Sequence, residues 1–112
     1  MFNLHYKQFK NIENSKGGEV NHNTIFEYFQ DGNEIWGKYK GGMIVEGKIE
    51  GVKTSENGFK ISYSHINSKG ELKTGNSNTE VSFTNDGKII LSEFWQWTDE
   101  ENLKGKSTLI EV

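Results

Sequence analysis

The sequence of 112 residues contains no proline, no cysteine, no alanine and no arginine. Without cysteine there is no disulfide framework, no thiolate-held zinc and no thiol nucleophile. Without alanine, and with 13 glycines and 12 asparagines, long helices have little support, because alanine is the best helix former whereas glycine and asparagine favour turns. The missing arginine removes the side chain best suited to bidentate contact with phosphates and guanine edges. With 13 lysines against 16 acidic residues the net charge is -3, so nucleic acid is not an expected partner. Long apolar runs are missing too: none approaches the roughly 18 residues of a membrane-spanning helix. The amino end, Met1-Phe-Asn-Leu-His-Tyr-Lys7, has no apolar signal core. The expectation is one soluble domain over residues 1–112, cytoplasmic and without a membrane partner.

Hydrophobic residues make up only 32% of the chain, yet 14 residues are aromatic (3 Trp, 4 Tyr and 7 Phe), so the core must be built from large flat side chains. Turn signals recur along the whole length, at Lys16-Gly17-Gly18, Asp31-Gly32, Gly41-Gly42, Asn57-Gly58, Lys69-Gly70, Asp86-Gly87 and the polar stretch from Thr98 to Gly105. Glycine and asparagine tolerate the positive φ of tight hairpin turns. Seven turns imply eight strands, over residues 4–13, 20–30, 33–40, 43–53, 59–67, 71–84, 88–98 and 106–112, with connections too short for a crossover helix.

Period-two alternation assigns faces. In the fourth strand Met43, Val45, Gly47, Ile49 and Gly51 oppose Ile44, Glu46, Lys48 and Glu50; in the fifth, Phe59, Ile61, Tyr63 and His65 form one face. In the seventh, Ile89, Leu91, Glu93, Trp95 and Trp97 lie opposite Ile90, Ser92, Phe94 and Gln96. The sixth is interrupted by Thr74-Gly-Asn-Ser-Asn-Thr79, where a bulge or bend is expected, or a ninth short strand. With no helix to cover the apolar face, the chain is all-β: an eight-stranded antiparallel up-and-down meander barrel, or in the alternative a two-sheet β-sandwich.

That assignment gives the interior Tyr39, Tyr63, His65, Glu93, Trp95 and Trp97, with Asn76 beside them. Apolar and aromatic walls with a few polar groups are what a small-ligand site needs. The same inventory would also serve a barrel that fills itself, each polar tip finding a partner. Glu93 stands out, because a buried carboxylate must meet a lysine, a tyrosine hydroxyl or His65, or else hold a proton through a raised pKa. A structural bridge to His65 or Tyr63 and a ligand-orienting role are both open. The histidines His5, His22 and His65 have no metal-ligand spacing, and neither a metal nor a cofactor is expected. Ser62 and Ser64 alternate away from His65, which leaves no hydrolytic triad. Asp99-Glu100-Glu101 reads as a solvated acidic turn, without the ligand pattern of a calcium loop. The Gly- and aromatic-rich run from Trp36 to Gly51 is not repeated, so no repeat array is present. None of Gln8, Gln30 and Gln96 opens the Gln/Arg-x-x-Gly-x-Gly/Ala turn that grips the pyrophosphate of acetyl-CoA.

Four segments together, Gly18-Glu-Val20, Asn33-Glu-Ile-Trp-Gly-Lys-Tyr-Lys-Gly-Gly42, Ser64-His-Ile-Asn-Ser-Lys-Gly-Glu-Leu-Lys-Thr-Gly75 and Glu93-Phe-Trp-Gln-Trp-Thr98, resemble a family of short bacterial proteins that carry the name N-acetylglutamate synthase. That resemblance implies transfer of an acetyl group from acetyl-CoA to glutamate. In plan the meander is similar to the calycin barrels, lipocalins and avidins among them, which implies a small, partly apolar ligand held in the interior without catalysis. A third reading is an interaction module or homodimer that uses Ile44, Ile66, Ile90 and Phe94, placed outside by alternation.

Overall fold

The computed structural model describes residues 2–15, 17–98 and 103–112. Eight strands follow one another in chain order: β1 (Lys7–Asn14), β2 (Ile25–Asp31), β3 (Glu34–Gly41), β4 (Ile44–Ser55), β5 (Gly58–Asn67), β6 (Leu72–Phe83), β7 (Ile89–Trp97) and β8 (Lys104–Glu111). Each pairs antiparallel with the next, and β8 returns to β1 through Phe9↔Glu111 and Asn14↔Ser107, which closes the barrel. Closure leaves no free edge and excludes the sandwich. The two-residue β2–β3 turn uses glycine where φ is positive, at +60° for Gly32, and the four-residue β5–β6 connection does the same, at +79° for Gly70. The acidic run Asp99-Glu100-Glu101 lies outside the described residues, as does Lys16 of the first turn signal.

The meander sorts the connections into two ends with different contents. At one end Phe2 and Leu4 turn into the interior ahead of β1, so the first strand begins at Lys7 rather than residue 4. Leu4 N donates to Gln30 Oε1 at 2.9 Å, and Gln30 N donates to His5 Nδ1 at 3.1 Å. Behind this plug Phe9, Tyr28, Ile35, Phe59, Leu91 and Leu109 are almost wholly buried and form the apolar core. The other end, the mouth, is covered by Ser15 and residues 17–24. These were expected to contribute the first five residues of the second strand, but β2 starts only at Ile25.

Alternation is followed without a break in β5 and β7. It is broken in β4, where the register against β5 shifts between Ile44 and Glu46. The extra residue reverses parity at the start of the strand. Ile44 is therefore buried and Val45 exposed, the opposite of the sequence expectation, while Ile66 and Phe94 do face outward. In β6 neither a bulge nor a ninth strand is found; its ladders to β5 and β7 are continuous. That continuity turns Gly75, Ser77 and Thr79 inward and Asn76 outward, where Gln96 Nε2 donates to its Oδ1 at 3.0 Å.

Large rings are accommodated by glycines on the neighbouring strand. Tyr39 faces Gly47, Tyr63 faces Gly75 and Trp95 faces Gly105. A Cβ added at any of these glycines would come within 2.6 Å of its aromatic partner. The rings thus lie across bare backbone, a contact a side chain would prevent. At Gly47 the ring has no room to yield, because Tyr39 stacks on Phe26 at 5.0 Å and hydrogen-bonds to His65 at 2.7 Å. Gly47→Ala is expected to cost about 1–3 kcal/mol as overpacking, read from the urea midpoint. An unchanged midpoint would mean that Tyr39 is free to move aside.

Candidate ligand-binding site

In the half of the barrel nearer the mouth the packing changes character. A cavity of about 40 Å³ lies there, and all six residues singled out from the sequence, Tyr39, Tyr63, His65, Glu93, Trp95 and Trp97, line it. Asn76 does not. The aromatic walls touch one another: Trp97 sits 5.7 Å from His65, 5.9 Å from Tyr63 and 5.9 Å from Trp95 between ring centroids. Phe26, Ile49 and Ile61 complete the apolar lining.

Glu93 faces this cavity from β7, 8% exposed. Its partner is neither His65 nor Tyr63. The Tyr28 hydroxyl donates to Glu93 Oε2 at 3.4 Å, a long bond that only partly offsets the loss of water. Burial pushes the carboxyl from its ordinary 4.5 up to about 7, with the Tyr28 bond pulling the other way. Burial and the nearby Glu93 charge hold Tyr28 well above the usual phenol range, so the phenol keeps its proton and serves as the donor. Across the β6/β7 ladder from Glu93, Thr79 Oγ1 is buried without a hydrogen-bond partner among the described residues.

His65 is 3% exposed and bonded at both ring nitrogens, Nδ1 to the Tyr39 hydroxyl and Nε2 to Glu19 Oε1, each at 2.7 Å. Burial, reinforced by Tyr63 and the carboxylates of Glu93 and Glu19, raises Tyr39 far above the ordinary phenol range. Tyr39 therefore donates to Nδ1, and Nε2 carries the proton offered to Glu19. Neither of the other two histidines joins it: His5 lies at the closed end, and His22 is exposed in the covering loop.

The covering loop is fastened to the site itself. Asn14 Nδ2 donates to Val20 O at 2.9 Å and Trp97 Nε1 to Gly17 O at 3.2 Å. Asn14 Oδ1 in turn accepts from Trp95 Nε1 at 3.2 Å and Ser107 Oγ at 2.5 Å. Gly18, Glu19 and Val20 form the roof of the cavity. Sequence reasoning about single residues missed Tyr28, Glu19, Asn14 and Asn67. Tyr28 alternates with Phe26 in β2 and could have been placed inside by the period-two rule. Glu19 and its contact with His65, 46 positions away, have no local signal.

A family model described as avidin-like protein matches residues 2–112. No curated protein and no solved structure matches the chain. The match gives no support to the acetyl transfer implied by the resemblance to proteins named N-acetylglutamate synthase. Consistent with this, the described residues contain no helix whose amino end could hold a pyrophosphate. The chain belongs to the avidin-like family.

Proposed function

We propose that this avidin-like barrel binds a small, partly apolar molecule in the half nearer its mouth, without catalysing a reaction. Tyr39, Tyr63, Trp95 and Trp97 grip the apolar body, and Glu93 accepts a hydrogen bond from an N–H or O–H group that reaches the floor. The observation that carries this reading is the asymmetry of the interior: one end is packed solid with Phe, Leu and Ile, while the other gathers aromatic and ionisable side chains around a cavity. A barrel that only needed filling would have no use for a buried carboxylate in the second half. Proteins of the avidin-like family bind small ligands such as biotin, which agrees with the reading.

The cavity of about 40 Å³ holds little more than a water molecule or two. Ligand sites run to about 300–1,000 Å³. Binding therefore requires the roof at Gly18, Glu19 and Val20 to lift. The test is tryptophan emission of the pure protein against a panel of metabolites, biotin included. Two of the three tryptophans line the cavity, so a ligand is expected to shift or quench the emission in a saturable way. A panel with no responder, together with a mouth that stays closed in crystals soaked with the same compounds, would overturn the reading.

A further inference from the structure

The roof of the cavity is charged, and two donors of the barrel wall converge on that charge. His65 Nε2 lies 2.7 Å from Glu19 Oε1, and Asn67 Nδ2 lies 3.3 and 3.1 Å from Oε1 and Oε2. Both donors are fixed. His65 is held by Tyr39, and Asn67, only 1% exposed, has its Oδ1 occupied by Lys69 N and Glu71 N at 3.0 Å each. The acceptor is the movable partner, since Glu19 sits in the loop between β1 and β2 and belongs to no strand.

We propose that Glu19 is a tethered stand-in for the ligand, and that the site takes small molecules carrying a carboxylate, whose oxygens replace those of Glu19 on His65 Nε2 and Asn67 Nδ2. This rests on the ligand-binding reading above and adds the chemical class. When the roof lifts, His65 Nε2 loses its acceptor and Asn67 Nδ2 keeps only Glu71 Oε1, at 2.9 Å. A purely apolar ligand would seal in the imidazole N–H and one of the two amide N–H groups unpaired, which costs more than a single hydrogen bond contributes. A carboxylate restores both bonds with the same charge assistance that Glu19 supplies. The indole of Trp97 stands next to His65 and that of Trp95 next to Trp97 on the cavity wall, and the two cover the body behind the carboxylate. Because it is tethered, Glu19 competes at an effective concentration of millimolar order. The apparent affinity for a free carboxylate is lowered by the fraction of molecules with the site occupied by Glu19.

The experiment compares the full-length protein with Glu19→Ala, Glu19→Gln and Glu71→Gln, using phenylacetate and its neutral analogue phenylacetamide as probes and calorimetry with tryptophan emission as readouts. Glu19→Ala is expected to bind phenylacetate about tenfold more tightly than the parent, with a smaller gain for the amide. Glu19→Gln, whose carbonyl still accepts from His65, should fall between the two. Glu71 also accepts from Asn67 Nδ2, at 2.9 Å, but leaves His65 untouched. Glu71→Gln removes the same charge from the same mouth and should change phenylacetate binding less than about twofold. Equal gains for Glu71→Gln and Glu19→Ala would reduce the effect to charge repulsion, and equal gains for both probes would make Glu19 a steric lid; either overturns the proposal. So does a lack of response from every protein to both probes. The metabolite panel is independent of these variants, so a positive panel beside a failure here leaves ligand binding standing and removes only the carboxylate.

Discussion

Replacing Glu93 by glutamine is expected to make the protein more stable at pH 8 and to leave its stability near pH 4.5 little changed. The carboxyl titrates at its ordinary 4.5 in the unfolded chain and at about 7 in the barrel, because burial disfavours its charge. A group whose folded pKa is raised binds its proton more tightly in the native state. Its contribution is therefore fully present below pH 4.5, falls as pH rises toward 7, and is gone above that. The span from 4.5 to about 7 corresponds to about 3 kcal/mol. Glutamine keeps the shape and can still accept from the Tyr28 hydroxyl, but has no charge to bury. Urea unfolding at a series of pH values should show the parent losing stability across this window and Glu93→Gln losing much less. Parallel pH profiles for the two proteins would mean that Glu93 is ionised in the barrel without cost. The same physics gives the residue its proposed use: a ligand N–H or O–H brought to Glu93 offsets the cost of its charge, so binding and deprotonation favour each other.

The closed meander was readable because its signals are local and repeated. Asp31-Gly32, Lys69-Gly70 and Asp86-Gly87 each mark a turn whose glycine has positive φ, and β5 from Phe59 and β7 alternate because their inward residues, Asn67 and Glu93 apart, are large and apolar or aromatic. β6 defeated the same reading. Beside the cavity its inward residues are Gly75, Ser77 and Thr79, which face Trp97, Trp95 and Glu93 across the ladder, and only Val81 beyond them is apolar. Big side chains on one strand require small ones on the next, so the strand that accommodates the site has no hydrophobic period of its own. In β4 a single bulge reversed the face of Ile44, and the composition of one strand does not reveal a shift in its pairing with another. The six cavity-lining residues were legible because each lies on an unbroken alternating stretch. Their partners were not. The contact of Glu93 with Tyr28 spans 65 positions and that of His65 with Glu19 spans 46, distances at which only the closed barrel decides what meets what.

Phe9→Ala is expected to be the most damaging single truncation, costing about 3–5 kcal/mol, while leaving the residues around the mouth in place. Phe9 has no exposed surface, and its ring meets Tyr28 edge-on at 5.5 Å; Tyr28 meets Phe59 at 6.0 Å, and Phe59 meets Phe2 at 5.8 Å. This aromatic chain is the closed end. Its neighbours are strand residues hydrogen-bonded on both sides, so the barrel wall cannot collapse into the space a lost ring would leave. A domain of this size has a total stability of about 5–15 kcal/mol, so the variant should unfold at a much lower urea concentration. In the absence of denaturant, Trp95 and Trp97 should keep their native emission, because they pack on Tyr63, His65 and the covering loop and not on Phe9. The measurement is a urea transition followed by tryptophan emission, with binding of a responder from the panel as the second readout. A cost under about 1 kcal/mol would show that the plug is dispensable and that stability resides around the cavity. A full cost with native binding would establish the division of labour that the interior implies: the end containing Phe2, Leu4 and Phe9 holds the barrel closed, which frees the end containing His65, Glu93 and Trp97 to carry groups that a core would exclude.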